Sequence, residues 1–325
     1  MKKLTVALAA LGLAAFGAAG AVAQEFPTKP IRIVIPFAAG GATDTTARII
    51  GEGMQKVLGQ PVVIDNKPGG LGIISIEEMA KAAPDGYTLM MGSGMVNGAV
   101  VAVHPKRFTI DYDRDVTVVG RVADVPAVYV TTTKNFDVKN FKELIDYAKA
   151  NPGRIRYCST GVGTALHIEM AIFQQKQGVR FTHVPYPTGQ TAPDLINGDL
   201  HFCSLNIIQT RPMVAAGQIR PIIITTDARL PDFPDTPTMK ELGMPELNAN
   251  YWGALFAPSK TPPAVLAKLH EAINKAQEIP EVKERFRSNQ MIPYISPTIE
   301  DAKKWNAAEI DRWRTNFKNS GITVE

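Results

Sequence analysis

The chain has 325 residues, 45% of them hydrophobic and 20% charged, with 35 Lys and Arg against 31 Asp and Glu. A formal charge of +4, with no basic run and no aromatic platform, excludes nucleic acid as the expected partner. Two cysteines, Cys158 and Cys203, are too few and too far apart for a zinc site, so no metal is expected.

Lys2 and Lys3 make a basic start, Leu4 to Ala19 an apolar stretch, and Ala21-Val22-Ala23 the small residues before a cleavage point ahead of Gln24. Residues 1–23 therefore read as a secretory signal peptide. The stretch is short and rich in Ala and Gly, where a spanning helix needs about 20 strongly apolar residues. The signal implies a periplasmic mature chain, and losing two lysines leaves 33 bases against 31 acids, a formal +2. About 300 residues exceed a typical single domain, which makes two lobes the default.

The first element is Ile31 to Ile35, a β-branched run suited to a parallel sheet covered on both faces. Pro36 ends it, since proline cannot donate to the ladder. Gly40 and Gly41 then allow a tight turn, and Thr43 or Asp44 is placed to cap a helix that carries Ala47, Ile49 and Ile50. Such a helix start aims free N–H groups at one point and attracts a carboxylate or phosphate.

Strand and helix then alternate, the mark of an α/β fold. Pro61 to Asp65 is a strand, Asn66 to Gly72 a turn, Ile73 to Ala83 a helix, and Tyr87 to Met91 a strand ending in Gly92-Ser93-Gly94. Val116 to Thr132 is a long β-rich run broken at Asp124-Val125-Pro126, as expected of a strand crossing between lobes. Phe141 to Ala150 is an amphipathic helix, stopped by Asn151-Pro152-Gly153 before the strand Ile155 to Cys158. Ser159 to Thr164 (STGVGT) repeats the opening pattern of strand, small-residue loop and helix, the helix starting near Ala165. Strands at Phe181 to Val184, Leu200 to Ser204 and Ile219 to Thr225 continue the series, with a helix near Thr191 to Ile196. Leu247 to Ala257 reads as a second crossing strand. The remainder is helical, starting at Pro262-Pro263 and ending with a helix that Thr298 and Asp301 introduce as a capping box. Residues 24–123 and 250–325 are thus assigned to one lobe and 124–249 to the other. Cys158 and Cys203 fall in strands of the second, where buried thiols are the commoner outcome and a bridge the alternative.

The segments PFAAGGATDTTAR, LGQPVVIDNKPGGLG, AKAAPDGYTLMMGS, YAKANPGRIRYCSTGVGTALH and THVPYPTG, in this order and spacing, are similar to the periplasmic solute-binding receptors of tripartite tricarboxylate transporters, the Bordetella uptake gene family. The likeness runs over nearly the whole mature chain. It implies a two-lobed periplasmic binding protein of the type II-like, Venus flytrap kind, with two crossing strands and a helical C-terminus. Such a receptor closes on a small organic carboxylate and passes it to transporter membrane subunits, with no cofactor and as a monomer. Two departures stand out: Pro68-Gly69-Gly70-Leu71-Gly72 where Pro-Gly-Ala-Gly-Gly is common, and Pro187 after Tyr186 where a small polar residue is usual.

Ligands of open α/β sheets sit beyond the carboxyl ends of the strands, which is where the Gly40 and Gly161 loops must lie. The expected contacts are the backbone of Ala39, Gly40, Gly41 and Gly163 and the hydroxyls of Thr43, Ser93, Thr160 and Thr164, with no Lys or Arg at the loop tips. Asp44 either touches the ligand or serves as a helix cap and partner of Arg48. Phe37 either stacks on the ligand or plugs the sheet. His167 either faces the cleft or is structural. Tyr186, Asn206 and Asn97 are read as contacts at strand and loop ends, Trp252 as hinge packing, and Arg211 as a solvated charge or a second-carboxylate partner. There is no G-x-S-x-G, H-E-x-x-H or G-x-x-x-x-G-K-[ST], and Leu166 stands where a dinucleotide fingerprint needs its third glycine, so no enzyme is expected. The alternatives are a ligand sensor for a signalling partner, or a periplasmic enzyme on the same fold.

Overall fold

The computed structural model describes residues 26–186, 190–247 and 251–324. The signal segment 1–23 with its cleavage point, Pro187, and positions 248–250 of the second crossing lie outside them. Two sheets form the frame. The first has six strands, in the order Ile292–Pro293, Val116–Val125, Tyr251–Pro258, Thr88–Ser93, Ile31–Ile35, Val62–Asn66, and the second five, in the order Thr182–Pro185, Arg156–Ser159, Phe202–Asn206, Ala127–Thr132, Ile219–Ile224.

In the first sheet, β1 (Ile31–Ile35) pairs in parallel with β2 (Val62–Asn66) and with β3 (Thr88–Ser93). Helix α1 (Ala42–Leu58) joins β1 to β2, and α2 (Ile73–Ala80) joins β2 to β3. The apolar run of β1 is buried because helices cover it, as continuous β-branched runs require. Gly53 lies inside α1, where it costs about 1 kcal/mol relative to Ala. A Cβ there would come within 2.8 Å of Ala276, so the glycine lets α1 lie close to α7 (Pro263–Glu278).

The chain crosses at Pro126, between β4 (Val116–Val125) in the first sheet and β5 (Ala127–Thr132) in the second. There α3 (Phe141–Ala150) leads to β6 (Arg156–Ser159), α4 (Ala165–Gln177), β7 (Thr182–Pro185), α5 (Ala192–Asn197), β8 (Phe202–Asn206), α6 (Ile207–Ala215) and β9 (Ile219–Ile224). Strand β6 runs parallel to both β7 and β8. This brings Cys158 beside Cys203 at a Cα separation of 5.3 Å, within reach of a bridge, and they are joined as a disulfide. The expectation of two free thiols is thereby corrected: local sequence did not show that β6 and β8 are direct neighbours.

The return crossing, expected over Leu247 to Ala257, has its described strand from Tyr251 onward. Leu247 is buried in a core shared with second-sheet strands, and β10 (Tyr251–Pro258) begins inside the first sheet, antiparallel to β3 and β4. Helix α8 (Pro280–Ser288) and the short edge strand β11 (Ile292–Pro293) follow. Helix α9 (Ile299–Ser320) starts at the capping box, Thr298 Oγ1 accepting from the Asp301 N–H at 3.0 Å. It touches both halves. Ala302, Trp305 and Ile310 pack with first-sheet residues, whereas Trp313 and Phe317 pack in a core with α4 and second-sheet residues.

Candidate functional site

The loops after β1, β2 and β3 open at one edge of the first sheet, and those after β6, β7 and β8 at one edge of the second. Between them lies a cavity of about 80 Å³, against the roughly 10–15 Å³ that one water needs. Gly94, Met95 and Tyr251 come from the first half, and Trp313 comes from α9, which touches both. The second half contributes Cys158, Ser159, Thr160, Ala165, Leu166, Thr191, Ser204, Leu205 and Gln209. None of these carries a formal charge. The polar groups on the wall are hydroxyls, one amide, the Tyr251 phenol, the Trp313 indole N–H and backbone.

Backbone accounting shows what that wall offers. Ala165 and Leu166 are the first two residues of α4, so their N–H groups have no partner inside the helix. Gly94 and Met95 stand in the same position in the wide π-type turn Gly94–Val100, which Ser93 caps by accepting from the Val96 N–H at 3.3 Å. Two helix starts thus meet the cavity from opposite halves, each with the partial positive charge of its N-terminal end. Burial, helped by the charge of Glu169, pushes the Tyr251 phenol up to about 12, so it remains a neutral hydrogen-bonding group.

Of the residues expected from the sequence, Thr160 lines the cavity and Ser93 adjoins it. Others hold the loops in shape. The Gly163 N–H donates to His167 Nδ1 at 3.1 Å, and Thr164 Oγ1 donates to the Gly161 carbonyl at 2.7 Å. Asn97 is fully buried, its Oδ1 accepting from the Ser93 N–H at 3.3 Å and its Nδ2 donating to the Tyr112 hydroxyl at 3.1 Å. Asn206 caps α6 by accepting from the Gln209 N–H at 3.1 Å, and its Nδ2 donates to Gln209 Oε1 at 2.6 Å, which aligns the amide that reaches the wall. The Tyr186 hydroxyl donates to Asp194, inside its own half.

The first loop lies outside the wall. Ala39 and Gly40 are exposed, and Phe37 is half-buried against apolar core residues, which favours the plug over the stack. Neither Thr43 nor Asp44 caps α1. Gly41 takes that place without a side-chain bond, because the turn runs on through Gly40 to the residue before Ala42. Asp44, in the first turn, reaches back to accept from the Gly40 N–H at 2.8 Å, from Arg48 Nε at 2.9 Å and from Asn66 Nδ2 at 3.0 Å. Burial opposes its charge, yet these hydrogen bonds outweigh it and hold the carboxyl below the usual range.

Sequence reasoning missed Met95, Leu166, Thr191, Ser204, Leu205, Gln209, Tyr251 and Trp313. Gln209 carried a faint signal, three residues past Asn206 in a strand-to-helix junction. Tyr251 and Trp313 carried none, since they reach the wall from elements remote in sequence. Trp252 is packed away from the cavity wall, its ring 4.7 Å from that of Trp305 and its Nε1 donating to Glu309 at 3.0 Å. Arg211 is paired with Asp232 at 2.6 Å and donates to the Ser288 carbonyl at 3.1 Å. It lines a larger open groove bordered by Arg121 and Asp124 of β4 and Trp252 of β10. That groove is a weaker candidate, because Arg121, Arg211 and Arg312 on its wall already pair with Asp124, Asp232 and Glu309.

The family profile described as tripartite tricarboxylate transporter family receptor matches residues 46–322. The chain belongs to that receptor family. Such receptors are periplasmic solute-binding proteins and not enzymes. The chain is 34% identical over 329 residues to BugT of Bordetella pertussis, with 99% of each covered. It resembles the structure of MatC from Rhodopseudomonas palustris with bound malate, at TM-score 0.79 and 30% identity, covering 90% of this chain and 100% of that one. A second R. palustris structure, with adipate, matches at TM-score 0.82 and 30% identity, covering 92% and 99%.

Proposed function

We propose that this receptor captures an organic carboxylate in the cavity between its halves and delivers it to the membrane subunits of a tripartite tricarboxylate-type permease. The observation that carries the reading is the wall itself: two helix starts whose first N–H groups have no partner inside the helix, hydroxyls beside them, and no fixed base. A charge-assisted hydrogen bond contributes about 1.5 to 3 kcal/mol net, so four give roughly 6 to 12 before ordering costs. Micromolar affinity needs about 8 kcal/mol. A dipolar clamp therefore suffices, and it releases its ligand when the halves part, as a shuttle must.

Two relatives were solved with malate and adipate, which makes a short aliphatic dicarboxylate the first ligand to try. Acidic amino acids, tricarboxylates and aromatic dicarboxylates such as terephthalate follow. The protein acts as a monomer after removal of residues 1–23 and reaches the periplasm by that leader. Thermal-shift screening over carboxylates tests the binding claim, since a ligand at 100 times its dissociation constant stabilises by about 2.7 kcal/mol. A rise in melting temperature with malate or adipate supports it, and no rise with any mono-, di- or tricarboxylate overturns it. Mass spectrometry of the exported chain, expected to start at Gln24, tests the leader.

A further inference from the structure

The Ser159–Thr164 loop contains two glycines in left-handed conformations, Gly161 at φ +139° and Gly163 at φ +73°. Glycine makes such a turn accessible but does not hold it, because the same residue reaches many other conformations as readily. The holding is done from outside the cavity wall. His167 of α4 and His183 of β7 stack ring on ring, centroids 4.1 Å apart and planes 12° from parallel, and His183 also stacks against Tyr157 at 5.1 Å.

Each ring grips one end of the loop. His183 Nε2 lies 2.6 Å from Ser159 Oγ, which itself accepts from the Gly161 N–H at 3.0 Å. His167 Nδ1 accepts from the Gly163 N–H at 3.1 Å. The Gly161 and Gly163 N–H groups are thus consumed, and Ser159, Thr160, Ala165 and Leu166 are the residues of this stretch that line the cavity. We propose that His167 and His183 are positioning residues of the ligand site, holding this loop in its binding form only while both rings are neutral, so that affinity falls as the pH drops. The proposal rests on the carboxylate-receptor reading above.

The hydrogen bond from Gly163 requires a neutral His167. An accepting Nδ1 must be bare, so the single proton of His167 sits on Nε2. A second proton at Nδ1 would set a donor against the Gly163 N–H and release that end of the loop. A charge on either ring would also lie 4.1 Å from its partner's ring, in a site partly shielded from water.

The surroundings favour neutral rings. Burial lowers both, and His183, which also feels His167, is taken down to about 4. From β6 the facing groups are the Tyr157 phenol, itself raised by burial, and Ser159. From the segment after the Gly94–Val100 turn comes His104, lowered by burial and by Arg107, its Nε2 3.2 Å from where a Cβ on Gly163 would stand. Val324 covers the same glycine from the C-terminal segment. Among the described residues no carboxylate contributes to the shift of either ring.

The test compares affinity for malate or adipate at about pH 7.5 and about pH 4, where His183 is half protonated, in the wild type and in the double variant His167→Asn, His183→Gln. These amides keep an acceptor near each ring nitrogen but take up no proton, and both proteins share the ligand's own titration. Wild-type affinity is expected to fall about threefold or more beyond that of the variant, and His167→Ala to lose about tenfold at both pH values. Equal pH slopes, or wild-type binding by His167→Ala, would overturn the proposal. A second readout needs no variant. A ligand that selects neutral rings must depress their apparent pKa on binding, seen as shifted histidine ring signals in an NMR titration. Unchanged histidine titration with ligand bound would overturn the proposal while leaving the receptor reading intact. Absence of any carboxylate binding by the wild type would overturn both.

Discussion

The Pro36–Gly41 and Ser159–Thr164 loops share one plan, a strand, a glycine turn and a helix start, yet they are secured by opposite means. The first is tied by charge: Asp44 holds Gly40, Arg48 and Asn66 together. The second is tied by neutral groups, two stacked imidazoles and a serine hydroxyl. The first is open, with Gly40 exposed, while the second is closed beneath Val324 and forms part of the cavity wall. One local pattern therefore serves two roles, and its bracing tells them apart.

The comparison is most exposed at the glycines. Gly163→Val would put a Cβ 2.5 Å from Val324 and 3.3 Å from Val103, at a φ of +73° that a β-branched residue resists. We expect affinity to fall 100-fold or more, about 3 kcal/mol, by calorimetry, with a lowered melting temperature. Gly40→Val meets no atom within 4 Å and carries only the strain of φ +86°, about 1–2 kcal/mol. Its effect should therefore be about tenfold or less. Equal losses in the two variants would mean that both loops touch the ligand alike.

The two braces also predict separate pH windows for stability. Asp44 has its carboxyl depressed below 3.8, so its contribution is complete above the ordinary carboxylate range and is lost as pH falls through the folded value. His183 is depressed from 6.5 to about 4, so the unfolded chain binds the proton first and stability declines as pH falls from 6.5 towards 4. Melting curves of wild type and Asp44→Asn should accordingly differ most above about pH 4 and converge below it, whereas those of wild type and His183→Gln should separate as pH falls from 6.5 towards 4. The smallest effect belongs to single hydroxyls. Thr160→Val should weaken binding about threefold to tenfold, the 0.5–1.5 kcal/mol of one hydrogen bond, whereas Thr43→Val, away from the wall, should leave it unchanged.

Much of the architecture was legible because it is local. The β-branched run Ile31 to Ile35, the break at Pro126 and the Thr298 capping box each write their structure within a few residues. What the sequence hid depends on long-range placement. Nothing near Tyr251 or Trp313 announces a cavity wall, and nothing near Cys158 announces that Cys203 is its neighbour. The cap of α1 misled for a physical reason. A Thr and an Asp stand where caps are common, but the turn leaves Gly41 at the cap and lets Asp44 act backwards on Gly40. His167 was readable as a candidate and His183 was not, because their stacking is set by α4 lying against β7.

The three tryptophans are unequally placed. Trp252 and Trp305 pack edge to face near the hinge, while Trp313 forms part of the cavity wall with its indole N–H unpartnered among the described residues. The receptor therefore carries its own optical reporter: ultraviolet emission from Trp313 should change in intensity and wavelength when solute replaces solvent beside it, and Trp313→Phe should silence that signal.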